Sequence, residues 1–489
     1  MLFNSIEFLI FFPVVVVLYF LLPFRLRWAW LLAASYFFYG YWNPKYLILI
    51  FLSTLLDYCC GVMMGRTGDK ARRRPYLYLS LAGNLGLLFT YKYLGFFTQA
   101  VEQGFGLLGL PAPLPLAELL LPVGISFYTF QTMSYSIDVY NGVLKPEKHF
   151  GVFALFVTYF PQLVAGPIER AGNLLDQLNV KHEFSYFNAL NGLKRMVWGM
   201  FKKVVIADNL AVLVNNVYNH PTEFEGISLL IATVFFAFQI YCDFSGYSDI
   251  AIGVAQVMGV RLMENFNRPY FSKSISEFWK RWHISLSTWF RDYVYIPMGG
   301  NRVVKWRWYY NLFITFLVSG LWHGANWTFL IWGALHGLYL IFAIVLQPLR
   351  RALAERTGLS RFPDLLKGVR VLTTFALVCL AWVFFRANSV TDALYVLGHM
   401  VTGLGNWQEV LDGDIGHVLF LDAPPRLFVV AIASIWLMEC IHLEQRHGSI
   451  TERLAQNPAW LRWSVYYGSV VLILLFGNFG QQQFIYFQF

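Results

Sequence analysis

Residues 308–346 read WYYNLFITFLVSGLWHGANWTFLIWGALHGLYLIFAIVL and carry no Asp, Glu, Lys or Arg. A helix needs about 20 mostly apolar residues to cross the hydrocarbon core of a bilayer. This stretch is long enough for two crossings, so we predict a helical hairpin that spans a membrane twice.

The composition of the whole chain agrees with a membrane protein. Of the 489 residues, 57% are hydrophobic and only 13% are charged, whereas soluble domains average about 25% charged residues. The polar surface is too small to coat a globule of this size, which excludes a soluble enzyme and a disordered or fibrous chain. The five cysteines lie in or beside apolar runs, and we interpret them as small buried side chains rather than as a disulfide framework.

Further apolar runs occur along the rest of the chain. With the hairpin, they predict an all-α polytopic membrane protein with about 11–13 transmembrane or re-entrant helices in one membrane domain over residues 1–489. Breaks at residues 122–124 and 161–167 indicate a cavity, because irregular backbone exposed to lipid is not tolerated. The runs are 1–22, 28–42, 46–64, 76–97, 119–140, 151–165, 190–217, 227–260 in two pieces, 371–387, 426–442 and 463–480.

The predicted orientation follows from the basic loops, because loops rich in Lys and Arg stay on the cytoplasmic side. Basic clusters at residues 66–74, 302–307 and 350–370 are placed in the cytoplasm. The loop at residues 388–425 has little positive charge and then faces outward, as do both termini.

Residues 261–307 are the least membrane-like part of the chain. Ser274 and Glu277 have the spacing of a capping box that opens a helix. One interpretation is a helix in the membrane interface with aromatic and basic anchors. The other is a cytoplasmic vestibule around His283 that receives an anionic donor such as a phosphorylated cofactor. The predicted apolar face is Phe278, Trp279, Trp282, Leu286, Trp289 and Phe290, and the predicted polar face is Lys280, Arg281 and Arg291.

An ionisable side chain deep in a membrane is costly and is therefore a functional candidate. His323 lies about 15 helical residues, or more than about 20 Å, from Trp308 at the predicted cytoplasmic edge. A neutral imidazole there can accept a proton from a hydroxyl group when a partner orients its other nitrogen. Gly320 and Gly324 are expected to leave room for a substrate beside the ring. The alternative is a structural histidine that hydrogen-bonds between helices.

Other polar side chains in apolar runs have two interpretations as well. His336 lies about 220° around a continuous helix from His323, which favours a structural role. Asp243 and Asp249 either line a wet channel or hold helices together, and we favour the second. The sequence has neither the ligand spacing of a zinc site nor a Walker A or serine-hydrolase motif.

Several longer motifs are distinctive. They are GPIER at residues 166–170, DFSGYSD at 243–249, NRPY at 267–270, WKRWHISLS at 279–287, FRDYVYIP at 290–297 and SGLWHGA at 319–325. In this order they resemble the membrane-bound O-acyltransferase family over nearly the whole chain, and within it the branch that serves alginate O-acetylation.

This resemblance implies a helical fold around a tunnel that opens to the cytoplasm and to the outside. It also implies that His323 is the catalytic histidine and that His283 lies on the cytoplasmic side of the tunnel. The other expected site residues are Trp322, Asn326, Asp243, Asp249 and Trp282 along the substrate tunnel, and Lys280, Arg281 and Arg291 at the donor.

The C-terminal residues 484–489 read FIYFQF. They are similar to a C-terminal motif of bacterial envelope acylation systems, whose tyrosine is proposed to take the acyl group transiently. Tyr486 is therefore an expected acyl acceptor at the outer face. Its phenol has an ordinary pKa of about 10 and needs a base such as His323. The alternative is an aromatic tail that anchors in the outer interface.

We therefore predict an acetyltransferase of the bacterial inner membrane. Acetyl-CoA is the expected donor, no bound cofactor, metal or nucleic acid is expected, and membrane lipid surrounds the chain. The acetyl group is expected to pass to a periplasmic O-acetyltransferase that modifies an exopolysaccharide, with alginate as the first choice. Open alternatives are acetylation of cellulose or peptidoglycan, D-alanyl transfer to teichoic acid, and a transporter or flippase without chemistry.

Overall fold

The computed structural model describes residues 1–107, 122–402, 415–448, 450–480 and 484–485. These residues form helices joined by turns, with no strand among them, which confirms the all-α class. The chain divides into two compact units. The first comprises Met1–Met196 with Ser248–Met263, and the second comprises Val197–Tyr247 with Glu264–Phe489.

The first unit begins with a series of long helices and ends with shorter ones. A π-helical turn at Phe89–Tyr93 joins the fourth helix to the fifth. The helices are α1 Ile6–Leu21, α2 Phe24–Gly40, α3 Tyr46–Arg66, α4 Lys70–Leu88, α5 Leu94–Leu107, α6 Ile125–Asn141, α7 Phe150–Thr158, α8 Phe160–Leu163, α9 Ala171–Leu178 and most of α10 Tyr186–Met200.

The second unit contains most of the remaining helices. A π-helix at Phe201–Ala207 connects α10 to the next helix, and a second one at Arg291–Tyr295 follows α14. The helices are α11 Asp208–Asn219, α12 Ile227–Val257 up to Tyr247, α13 Ile275–Trp279, α14 Ile284–Phe290, α15 Lys305–His323, α16 Trp327–Val345, α17 Gln347–Arg356, α18 Pro363–Arg386, α19 Val390–Thr402, α20 Ile415–Val418, α21 Pro425–Glu444, α22 Ile450–Ala455 and α23 Ala459–Phe476.

Six helices in the described part of the chain are long and apolar enough to cross a membrane. They are α3, α12, α16, α18, α21 and α23. This supports a multi-pass membrane protein, and the larger number of transmembrane or re-entrant segments stays a prediction.

The predicted helical hairpin is present, because α15 and α16 pack against each other over much of their length. Only α16 of the two is among the helices long and apolar enough to cross a membrane, so the double crossing stays a prediction. Gly320 on α15 lies against Gly333 on α16, and a Cβ atom at Gly320 would collide with the backbone oxygen of Phe329. Small residues at such positions let two membrane helices approach closely.

The prediction of two pieces for residues 227–260 is wrong, because α12 is one continuous helix. No proline interrupts it, and its glycines serve close packing. A Cβ atom at Gly246 would come within 2.8 Å of the Gly199 backbone oxygen. The glycines of this apolar helix therefore mark close contacts with a neighbouring helix and not the end of a helix.

Both predicted backbone breaks are present in the first unit. Gly124 adopts φ 76° directly before α6, a left-handed conformation that favours glycine. The short helix α8 ends at Leu163, and the chain continues without helical structure to Arg170 before α9 begins.

Candidate active site

His323 is the last residue of α15 and is only 3% exposed. Aromatic rings surround it, with ring centroids at 4.9 Å for Trp322, 4.9 Å for Trp332 and 5.3 Å for Phe385. The imidazole of His323 therefore lies in the protein interior beside three aromatic rings.

The expectation that Gly320 and Gly324 leave space for a substrate is wrong. A Cβ atom at Gly320 would collide with the backbone oxygen of Phe329, and one at Gly324 would collide with the Phe329 ring. The missing side chains therefore make room for α16, so a substrate would have to approach His323 from another side.

The segment at residues 261–307 begins as predicted and then departs from a single helix. The Ser274 hydroxyl accepts a hydrogen bond from the Glu277 backbone N–H at 3.1 Å, which confirms the helix start at α13. The helix does not continue to Phe290, because His283 adopts φ 42° and ψ 55° between α13 and α14. A left-handed conformation is uncommon for residues other than glycine and is often found at functional positions.

His283 is fully buried and is oriented by Asn265. The Asn265 Oδ1 atom accepts hydrogen bonds from the Ser285 hydroxyl at 2.9 Å and from the Ser285 backbone N–H at 3.3 Å. These donors identify Oδ1 as an acceptor, so the His283 Nδ1 atom 3.1 Å away must carry the proton and donate it. The Nε2 atom is then the nitrogen with the lone pair, and burial lowers the pKa of His283 to about 3.

A series of ring contacts connects the two histidines. The His283 ring lies 6.2 Å from Trp322, and Trp322 lies 4.9 Å from His323. Phe244 on α12 packs edge-on against His283 at 4.6 Å. The structure therefore places both predicted histidines against the same tryptophan, although 40 positions separate them in the chain.

The interpretation of the segment at residues 261–307 as a helix in the membrane interface with aromatic anchors is wrong. The predicted apolar face is buried within the second unit instead of facing outward. Trp282 stacks on Phe278 at 5.5 Å and contacts Trp382 of α18 at 5.1 Å. These aromatic side chains form part of the protein core, whereas the interface-helix interpretation expected them to face lipid.

The predicted donor-binding cations lie outside this core. Arg281 pairs with Glu277 at 2.7 Å, and Arg291 pairs with Asp292 at 2.7 Å. Lys280 is exposed at the end of α13. These charges are accessible to an anion, although each arginine would have to share its guanidinium with a carboxylate. In the described part of the chain, no three His, Cys, Asp or Glu side chains approach closely enough to hold a metal ion.

The two aspartates of α12 are both ion-paired. Asp249 pairs with Arg195 of α10 at 2.8 Å in the first unit. In the second unit, the Lys203 ammonium lies 2.6 Å from Asp243 and 2.8 Å from Asp208. These pairs agree with the interpretation that the aspartates hold helices together, and we call Lys203, Asp208 and Asp243 the ionic cluster.

Asn326 and His336 have local structural contacts. The Asn326 side-chain oxygen accepts the Thr328 N–H at 3.0 Å and so caps α16. The His336 Nδ1 atom accepts the indole N–H of Trp279 at 3.3 Å. His336 also lies 4.9 Å from Trp332, the residue that contacts His323. The helix break before Asn326 brings both histidines to Trp332, so the 220° separation on a continuous helix does not apply.

The first two residues of the C-terminal motif, Phe484 and Ile485, pack within the second unit. Phe484 and Ile485 are 1% and 2% exposed, and the Ile485 N–H donates to the Asp243 carboxylate at 2.7 Å. Tyr486 lies outside the described residues, and its expected role stays a prediction.

Sequence reasoning missed Lys203, Asp208 and Asn265. The first two were detectable, because they are ionisable residues inside the apolar run at 190–217, where such residues are candidates by default. Asn265 offered no comparable signal, because it is an ordinary polar residue 18 positions before His283.

The chain is similar to several known proteins. Residues 148–385 match the family described as MBOAT, membrane-bound O-acyltransferase. The chain is 43% identical over 411 residues to the "Probable alginate O-acetylase AlgI" of Pseudomonas aeruginosa, covering 83% of this chain and 76% of that protein. It is 39% identical over 398 residues to the peptidoglycan O-acetyltransferase of Helicobacter pylori, covering 76% and 73%. It is 30% identical over 296 residues to the teichoic acid D-alanyltransferase of Streptococcus thermophilus, covering 55% and 69%.

Proposed function

This chain belongs to the membrane-bound O-acyltransferase family and is a multi-pass membrane acyltransferase, and we propose that it moves an acetyl group from cytoplasmic acetyl-CoA to the outside for polysaccharide O-acetylation. The observation that carries the proposal is the placement of two buried histidines, His283 and His323, against Trp322. Both lie in a protein interior where water is scarce and general acid–base chemistry is effective.

In the proposed reaction, His323 acts as the general base. An acceptor hydroxyl attacks the carbonyl carbon of the acetyl thioester, an ester bond forms, and the carbon–sulfur bond breaks. His323 takes the hydroxyl proton and returns it to the leaving thiolate, so the histidine is regenerated. A base of this kind requires a neutral imidazole with a lone pair directed at the acceptor hydroxyl.

We assign a second role to His283. Its Nδ1–H is committed to Asn265, so its Nε2 atom presents a lone pair in a fixed direction. This supports a position along the path of the donor, where Nε2 accepts a hydrogen bond from the incoming group. Lys280, Arg281 and Arg291 are proposed to attract the phosphates of acetyl-CoA, and Trp282, Trp322 and Asn326 to border the path.

The acceptor hydroxyl is proposed to belong to Tyr486 or to a partner protein. The burial of Ile485, the preceding residue, supports Tyr486, because the C-terminal segment returns to the unit that holds both histidines. A separate periplasmic O-acetyltransferase would then move the acetyl group to the polymer. The chain would lie in the bacterial inner membrane with both termini on the periplasmic side.

Alginate is the proposed polymer, because relatives named as probable alginate O-acetylases match at 43% identity. Peptidoglycan is the second candidate on the basis of the Helicobacter pylori relative. D-Alanyl transfer is less favoured, since the relative named for it is 30% identical and the match covers 55% of this chain. A non-catalytic transporter would tolerate a neutral polar side chain at His323, whereas an acetyltransferase would not.

The test uses the purified full-length chain and radiolabelled acetyl-CoA, first alone and then with the periplasmic partner and the polymer added. The reaction is stopped in denaturant, and the label is mapped by mass spectrometry in the wild type, His323→Asn and Tyr486→Phe. We expect label on Tyr486 in the wild type and its loss in both variants. His336→Gln is the matched control, because a glutamine oxygen can accept the Trp279 N–H and labelling should persist.

The outcomes separate the steps of the proposal. Label on the periplasmic partner but not on Tyr486 would exclude Tyr486 as acceptor and retain acetyl transfer. Equal label in the wild type and His323→Asn would exclude His323 as the base. Absence of label from the chain, partner and polymer would exclude acetyl-CoA as the donor.

A further inference from the structure

Two sets of contacts hold the residues that follow α23. The first set lies directly after α23, at Phe476 and Asn478. The Asn209 side-chain amide donates to the Phe476 backbone oxygen at 2.8 Å. The Asn478 backbone N–H donates to the Val204 oxygen at 2.9 Å, and its side chain donates to the Asp208 backbone oxygen at 3.3 Å. These contacts bring the residues after α23 to the segment that carries Lys203 and Asp208.

A second attachment point lies at Phe484 and Ile485. The Phe484 ring packs 4.8 Å from Tyr247 and 6.0 Å from Phe244. The Ile485 N–H donates to the Oδ2 atom of Asp243, while the Oδ1 atom of the same carboxylate pairs with Lys203. Asp243 therefore connects the ionic cluster to the C-terminal segment.

The charges of the ionic cluster explain why this connection is favourable. One ammonium group lies between two carboxylates, and all three side chains are at most 5% exposed. A buried carboxylate needs a donor for each oxygen, because an unsatisfied buried charge is costly. The Lys203 ammonium forms an ion pair with one oxygen of Asp243 at 2.6 Å, and the Ile485 N–H donates a hydrogen bond to the other. Hydrogen bonds to a charged acceptor are stronger than those between neutral groups.

We propose that Asp243 is a positioning residue that seats the chain's own C-terminal segment, with its carboxylate holding Ile485 while Tyr247 and Phe244 hold Phe484. The seat lies next to the candidate active site, because Phe244 also packs against His283 at 4.6 Å. The consequence for acyl transfer rests on the proposed function: seating Ile485 determines how far the following residue, Tyr486, can extend. The seating itself does not depend on whether Tyr486 carries an acyl group.

The test is hydrogen–deuterium exchange of the full-length protein without donor, resolved to the Ile485 amide by mass spectrometric fragmentation. We expect Asp243→Ala to speed exchange of this amide about ten- to hundredfold, the factor expected for losing a bond to a charged acceptor. The Lys203–Asp208 pair remains in this variant, so the buried ammonium keeps a carboxylate partner. Unchanged exchange in Asp243→Ala would overturn the proposal.

Two matched controls identify the cause of faster exchange. Asp249→Ala removes a carboxylate from the same helix that pairs with Arg195 instead. Asp208→Asn perturbs the ionic cluster without removing the acceptor of Ile485. We expect the Ile485 amide to stay protected in both. Equal loss of protection in Asp249→Ala would mean general loosening of α12 and would also overturn the proposal.

A further variant keeps the proposal testable when Asp243→Ala fails to fold. Phe484→Ala leaves the ionic cluster intact and removes the ring from Tyr247 and Phe244, so exchange at Ile485 should again increase. Tyr486→Phe should leave the exchange unchanged even when acyl transfer is lost. Failure of the acyl-carrier role and failure of the seat are therefore distinguishable.

Discussion

Replacing Asn265 by alanine should damage both the stability of the protein and the chemistry of His283. The Asn265 side-chain oxygen accepts hydrogen bonds from His283 Nδ1 and from the hydroxyl and backbone N–H of Ser285. All three residues are fully buried, so the donors left by Asn265→Ala do not gain water in compensation.

The size of the effect follows from these three contacts. A buried donor left without an acceptor costs about 1–3 kcal/mol. The Ser285 hydroxyl can rotate, which leaves the His283 N–H and the Ser285 backbone N–H as the principal losses. We therefore expect Asn265→Ala to lower the free energy of unfolding by about 2–6 kcal/mol.

The same substitution removes the acceptor that keeps the His283 proton on Nδ1. A hydrogen bond of about 1 kcal/mol favours one tautomer about fivefold, and a freed ring also loses its orientation. We expect the rate of acetyl transfer per folded molecule to fall by at least about fivefold. The assay combines denaturant unfolding in detergent with transfer of radiolabelled acetyl groups.

Asn311→Ala is the matched control for Asn265→Ala. Asn311 is also fully buried, and its side-chain amide donates to the backbone oxygens of Met298 and Gly300 at 3.2 and 3.0 Å. It should lose stability to a similar degree but keep its transfer rate per folded molecule. Equal loss of rate in both variants would refute the role of Asn265 in orienting His283.

Two further predictions concern stability. Gly320→Ala should destabilise the protein by about 1–3 kcal/mol or more, because overpacking forces α15 and α16 apart. Gly368→Ala on α18 should instead stabilise the protein by about 0.5–1 kcal/mol, because a Cβ atom there meets nothing within 4 Å. Thermal unfolding of both variants checks this contrast. Burial raises the pKa of Glu169 to about 7, so the folded state binds this proton more tightly than the unfolded state does. The free energy of unfolding should therefore fall as pH rises from about 4.5 to 7, by up to about 1.4 kcal/mol per pH unit. Glu169→Gln should remove this part of the pH dependence, and an unchanged slope would contradict the assignment.

The sequence alone determined the class of the protein and much of its local structure. Composition and the length of apolar runs indicate membrane crossing directly, because burial in lipid depends on many consecutive residues. The start of α13 at Ser274 was equally predictable, since a capping box involves residues three positions apart. The count of about 15 helical residues from Trp308 to His323 needed no tertiary information, because α15 is continuous over this stretch.

Tertiary structure decided which residues meet. The left-handed conformation of His283 ends a helix that the apolar pattern would continue, and its partner Asn265 is 18 positions away. Asp243 contacts Ile485 across 242 positions. Periodicity cannot predict such pairs, because it reports only which face of an element is apolar. The packing of other elements against that face determines which buried donor finds which acceptor, and in this protein it places both histidines against Trp322.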